Sequence, residues 1–138
     1  MEINEKIQAI TEEMIAIRRE LHQYPELGTE ELETQKRISA LLTKWGIEHK
    51  PCADTGIVGI IRGGKPGNVV GIRADIDALP LQEDRSRDYC SKNDGVMHAC
   101  GHDVHVAAAL GAAKLLAAHR DELPGSVLFL FQPDEEGD

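Results

Sequence analysis

Ser126-Val-Leu-Phe-Leu-Phe-Gln132 is an uninterrupted apolar run of strand length. Such a run predicts a strand buried on both faces, the kind found inside an α/β sheet. The rest of the chain offers elements to cover it. Ile3, Ile7, Ile10, Met14, Ile17 and Leu21 recur at steps of four and three residues, one apolar stripe of an amphipathic helix. That helix should end near His22 to Pro25, because proline disfavours helical geometry in the residue before it. A second helix is expected from Thr29, whose hydroxyl could cap it, with Leu32, Ile38, Leu41, Leu42 and Trp45 inward and Gly46 as its stop. Short β-branched segments at 47–50, 56–61 and 69–74 predict three strands, the last two forming a hairpin through the turn-rich residues 62–68. Residues 79–96 read as a polar loop, and 104–120 as an alanine-rich helix.

The order α-α-β-β-β-α-β points to a mixed α/β sheet covered by helices. A doubly buried strand wants a neighbour on each edge, and no residue follows Asp138 to supply one, so truncation is the expectation.

Charge removes two classes of function. With 24 acidic against 15 basic residues, the net charge of -9 repels phosphate backbones and anionic bilayers, and no Lys/Arg run offsets it locally. No nucleic-acid or membrane partner is expected. Lys114 interrupts the longest apolar candidate, 104–118, which is short of the roughly 20 residues of a membrane span. Residues 1–6 mix charges of both signs and lack the apolar segment of a secretory leader. Cys52, Cys90 and Cys100 are too few and too scattered for a disulfide framework. These features fit a cytoplasmic, reducing location.

His98, Cys100, His102, Asp103 and His105 fall within eight residues, and Glu135 and Glu136 directly follow the apolar strand. Thiolate and imidazole suit zinc or manganese-like ions, and a carboxylate not spent on the metal can take a proton from attacking water. Gly101 lets Cys100 and His102 converge on one tight turn. The plainer alternative is a small buried cysteine beside surface histidines. Asp103 or Asp75 could accept a hydrogen bond from the far nitrogen of a ligating imidazole.

Glu135 and Glu136 would emerge at the C-terminal end of a strand, where open α/β sheets place ligands. One then reads as a ligand and the other as a general base, against the alternative of a solvated acidic cap. Asp75 and Asp77 alternate at another strand end and share a face, or serve as turn formers before Pro80. A structural zinc site built from the three cysteines is disfavoured, because no C-x-x-C pair occurs. His22 reads better as part of a helix surface, with Arg18 and Arg19, than as a site residue.

Four ordered segments carry a resemblance: Arg18-Arg-Glu-Leu-His22 with Pro25-Glu-Leu27, Arg73-Ala-Asp-Ile-Asp-Ala-Leu-Pro80, Met97-His-Ala-Cys-Gly-His-Asp-Val-His105, and Phe131-Gln-Pro-Asp-Glu-Glu-Gly137. Together they resemble the M20 family of metallopeptidases, in its amidohydrolase branch of N-acyl-amino-acid amidohydrolases, hippurate hydrolases and plant auxin-conjugate hydrolases. The resemblance implies a three-layer αβα zinc-peptidase-like catalytic domain, of which residues 1–138 would be the N-terminal portion. It implies two divalent ions, Zn or Mn, with Cys100 bridging them and His102 and Glu136 as further metal ligands. Glu135 would be the catalytic general base, which takes a proton from water and later gives one to the leaving amine. Asp77 matches an active-site aspartate, and Asp75 stands where other branches carry a ligand histidine, so both are read as supporting groups.

The implied substrate is a small N-acyl amino acid, and the implied assembly of the full-length protein is a homodimer. Two ligand histidines and the inserted dimerisation domain of the branch would lie beyond residue 138. Two departures put substrate preference in question: residues 82–90 are short and unusually charged, and Asp134 stands where a small residue is usual. The competing expectation is a catalytically inactive, truncated polypeptide that serves as a weak metal-binding or interaction module.

Overall fold

In the computed structural model, which describes residues 2–137, the chain runs α1 (Ile3–Gln23), α2 (Leu32–Lys44), β1 (Glu48–Cys52), β2 (Gly56–Arg62), β3 (Lys65–Asp75), α3 (His102–Ala118), a short 3-10 turn (Arg120–Glu122) and β4 (Pro124–Gln132). The strands form one sheet in the order β1-β2-β4-β3. The apolar run Ser126 to Gln132 falls in β4, which is interior and has a partner on each edge. It pairs antiparallel with β2, Phe129 opposite Gly59, and parallel with β3, Phe129 opposite Ile72. Both neighbours that β4 needs therefore come from residues before it. The expected hairpin of the second and third strands does not form, because β4 inserts between them. The antiparallel hairpin joins β1 and β2 instead, with Cys52 opposite Gly56. Parallel strands need a crossover, and α3 supplies it between β3 and β4.

Burial along β4 alternates, in contrast to the expectation of two covered faces. Val127, Phe129 and Phe131 are buried and share a core with Ile57 and Ile61 of β2, Ile38 and Leu42 of α2, and Leu110 and Ala113 of α3. On the other face Leu128 is half-buried and Leu130 is 38% exposed. Across it stand Val58 and Ile60, also half-buried, and Gly71, where an added Cβ would meet nothing within 4 Å. Among the described residues the helices thus cover one face. α1 packs along α3 through Ile17, Leu21 and Met14. Ile3 and Ile7 of the same apolar stripe remain exposed, lining an open groove with Leu115 and Leu116 of α3.

The start of α2 also differs from the sequence expectation. Thr29 has a left-handed backbone, φ 68°, and the helix begins three residues later, with Leu32 exposed at 56%. The cap comes from upstream: the Glu26 carboxylate accepts the N–H groups of Glu33 (3.1 Å) and Thr34 (2.6 Å) and the Thr34 hydroxyl (2.6 Å). These bonds satisfy donors that a helix cannot pair internally. No helix among the described residues is long and apolar enough to cross a membrane.

Candidate metal centre

β3 and β4 are parallel, so the segments that leave them emerge at one edge of the sheet, and α3 begins beside them. Cys100 sits just before α3, and Gly101 between it and His102 has φ 84°, a conformation glycine adopts without strain. Asp75 ends β3, Asp77 follows it, and Glu135 and Glu136 follow β4. A ligand atom from each of Cys100, His102 and Glu136 lies within 4.8 Å of the others, and the same holds for Asp75, His102 and Glu135. His102 is common to both groups.

Asp77 organises the centre. It is 1% exposed, and the Nδ1 of His102 stands 2.9 Å from its carbonyl oxygen and 3.1 Å from its Oδ1. Both are acceptors, so Nδ1 carries the proton and Nε2 keeps its lone pair. That lone pair faces the glutamates, 3.6 Å from Glu135 Oε2 and 3.7 Å from Glu136 Oε1. The other Asp77 oxygen accepts the Glu136 N–H at 2.9 Å. One buried carboxylate thus fixes the orientation of an imidazole and the backbone that carries both glutamates, as carboxylates behind ligating histidines do. The sequence reading offers Asp103 or Asp75 for that hydrogen bond and names Asp77 as a supporting group only through the resemblance. Asp103 instead turns toward α1, and Asp75 accepts a hydrogen bond from Arg73 Nε at 2.8 Å.

The electrostatics favour a cation. The Glu136 carboxylate, then burial, then the charges of Glu136, Glu135 and Asp77 push the Cys100 thiol up to about 11. Among the described residues one cationic side chain reaches these groups, Arg73, 2.8 Å from Asp75 Oδ1 and 3.9 Å from Glu135 Oε1. Sulfur, imidazole and carboxylate donors gathered this closely suit a zinc-like divalent ion with bonds of roughly 2.0–2.3 Å. The residues present therefore fit the metal that the sequence implies.

His105 and His98 fall outside both groups. His105 is exposed, its ring 5.8 Å from that of His102. His98 is buried with an unpartnered Nδ1, and burial, against the opposing pull of Asp103, lowers its imidazole to about 4.

His22, expected on a helix surface, is 1% exposed. Its ring nitrogens stand 2.7 Å from Asp103 Oδ2 and 2.7 Å from Glu83 Oε1, and Arg18 Nε donates to the same Asp103 oxygen at 2.9 Å. Glu83 also accepts the Ser91 N–H at 2.6 Å. This cluster ties α1 and the 79–96 loop to the first turn of α3, one residue from His102. Sequence reasoning missed Glu83, which lies in a stretch too polar to suggest a buried group.

Burial alone would raise the Glu83 carboxyl, but hydrogen bonds from His22 and Ser91 and the charges of His22 and Arg87 outweigh it, leaving it below its ordinary 4.5. A carboxylate lowered in the folded state stabilises the fold above its unfolded value and loses that contribution as pH falls through the folded one. Glu83→Gln, which removes one partner of a buried pair, should cost about 3–5 kcal/mol at pH 7. The penalty, read by urea unfolding beside the parent protein, should shrink below about pH 4.5. A penalty constant from pH 7 to pH 3 would contradict this account.

Comparison with known proteins agrees with the geometry. The model of peptidase family M20/M25/M40 matches residues 71–138. N-acetyl-L-cysteine deacetylase of Bacillus subtilis (strain 168) is 49% identical over 131 residues, covering 94% of this chain and 32% of that protein. N-acyl-L-amino acid amidohydrolase of Geobacillus stearothermophilus is 43% identical over 136 residues, 98% of this chain and 37% of the relative. Among solved structures, a dinuclear metal-binding peptidase of the M20 family from Bacillus subtilis matches with a TM-score of 0.89 at 47% identity, covering 94% of this chain and 36% of the other. The chain spans about a third of the length of the relatives it matches.

Proposed function

Since the chain belongs to the M20 peptidase family, we propose that it is the N-terminal part of the catalytic domain of a hydrolase that cleaves the amide bond of N-acyl amino acids or related small conjugates with two divalent ions, Zn or Mn. The observation that carries this reading is the pair of donor groups sharing His102, Cys100–His102–Glu136 and Asp75–His102–Glu135. Similarity to a deacetylase and an amidohydrolase of N-acyl amino acids supports the substrate class. A dinuclear neighbour supports the metal count.

When bound, such ions supply Lewis acidity to the scissile carbonyl and make water easier to deprotonate. Cys100, His102 and Glu136 are the residues that would hold the metal. Asp77 keeps the proton of His102 on Nδ1 so that Nε2 stays available. Glu135 is the proposed base: its side chain is 35% exposed, open enough to meet a water. It takes a proton from that water and returns one to the departing amine nitrogen. Arg73 stands 2.8 Å from Asp75 Oδ1 and 3.9 Å from Glu135 Oε1.

The remaining ligands and a dimerisation domain belong, on this proposal, to the full-length protein, a cytoplasmic homodimer. The 138 residues alone should be inactive, which the coverage of only a third of the relatives supports.

The test is amino-acid release from a panel of N-acetyl and N-benzoyl amino acids by the full-length protein with added Mn or Zn. Turnover that chelator abolishes and metal restores is the expected result. No release from any member of the panel would overturn the proposal.

A further inference from the structure

Glu31 occupies the N-cap position of α2, yet its side chain makes no capping bond. Glu26 performs that duty. The Glu31 carboxylate, 0% exposed, is directed elsewhere: Oε2 accepts the Thr55 hydroxyl at 2.6 Å, and Oε1 accepts the N–H of Asp134 at 2.9 Å, across 103 residues of sequence. Asp134 immediately precedes the two glutamates. A buried carboxylate is expensive unless its oxygens are satisfied, and both are used here to join α2, the β1–β2 turn and the segment after β4.

The surrounding backbone needs such a tie. Thr29, Ala53, Asp54 and Asp134 have φ of 68°, 51°, 60° and 50°, and they are the only non-glycine residues with positive φ among those described. All four line one cleft of about 290 Å³ with Thr55, Gln132 and Pro133. Left-handed backbone at such residues costs on the order of 1–3 kcal/mol each and persists where neighbours over-determine it. Gly28 makes room, since a Cβ there would run into the Asp134 carboxylate. Gln35 holds the facing turn, donating to the carbonyls of Asp54 and Gly56 at 3.0 Å each. The acidic segment is thus fastened at two amides, Asp134 by Glu31 and Glu136 by Asp77, and Glu135 lies between them.

We infer that Glu31 is a positioning residue: by holding Asp134 in its left-handed turn, it aims Glu135 and Glu136 at His102. The inference deepens the proposed function and rests on it for the activity readout alone.

The experiment compares wild type, Glu31→Met and Glu31→Gln in the full-length protein. Met preserves length and volume but offers no strong acceptor. Gln can accept from Asp134 with its carbonyl and donate to the Thr55 hydroxyl. In metal-free protein, amide hydrogen exchange at Asp134 should be slow in wild type and at least about tenfold faster in Glu31→Met. With metal, Glu31→Met should lower kcat by about ten- to a hundredfold, the scale expected for roughly 1 Å of misplacement. KM should stay within about twofold, and Glu31→Gln should restore most of both losses.

Fast exchange at Asp134 in wild type would overturn the inference even if no variant folded. So would a Glu31→Met protein that loses thermal stability while Asp134 exchange, or kcat, stays at the wild-type value. If wild type itself hydrolysed no N-acyl amino acid, the functional proposal would fail, and the exchange comparison would still decide whether Glu31 holds the turn.

Discussion

Glu135→Gln is expected to slow hydrolysis by the full-length protein by about 10²–10⁴-fold, the usual worth of a positioned acid or base. The fold and the ion content should be retained. The substitution keeps the side chain's shape and removes only its ability to take a proton. Nothing in the core depends on it, because the side chain is partly solvent-exposed and its nearest partners are His102 Nε2 at 3.6 Å and Arg73 at 3.9 Å.

The informative control is metal content. Glu135 also belongs to the Asp75–His102–Glu135 group, so a ligand role is geometrically open to it. If Glu135→Gln retains its metal and loses turnover, the residue is the base. If half of the metal disappears together with the activity, Glu135 is a ligand and the assignment of the base is wrong. Glu136→Gln should behave in the opposite way, losing metal first, since Glu136 stands with Cys100 and His102.

What could be read from sequence divides by distance along the chain. The α1 stripe and the apolar β4 run are local patterns, and each forms an element where expected; of the donor-rich stretch at 98–105, Cys100 and His102 join a donor group. A stripe shows which side of a helix is apolar but not how much of it a partner covers: Ile3 and Ile7 lie in an open groove beside Leu115 and Leu116 of α3. The hairpin expectation failed because adjacency in sequence favoured pairing the second and third strands. The actual neighbour of both is β4, some fifty residues later, which can bury Val127, Phe129 and Phe131 fully only between two partners.

The same limit applies within the site. Cys100, His102, Glu135 and Glu136 announce themselves by residue type and spacing. Most of their supports do not: Glu31 meets Asp134 across 103 residues and His22 meets Asp103 across 81, whereas Asp77, which meets Glu136 across 59, is singled out through the resemblance. An acidic residue ahead of a helix reads as a cap, and a histidine near a helix end reads as surface. Only tertiary structure reveals that Glu31 and His22 are buried.

His102→Ala should have a large effect on ion binding, because His102 belongs to both donor groups and its one free nitrogen, Nε2, would be a ligand of whichever ion sits there. Removing a partner behind a ligand typically costs 10–100-fold in metal affinity, which is the loss expected of Asp77→Asn. Removing the ligand itself should exceed it, costing the full-length protein the ion held at Nε2 at micromolar metal. Cys100→Ala takes a donor from one group and Asp75→Asn from the other, so each should leave the second group's ion detectable unless that residue bridges. The pattern across the variants is therefore more informative than any single loss. If Cys100→Ala strips both ions, the sulfur bridges them. If it strips one, the two groups bind separately. Full occupancy of both sites in His102→Ala, measured by metal analysis after dialysis, would mean that the ions sit elsewhere and that the centre built around Asp77 has another purpose.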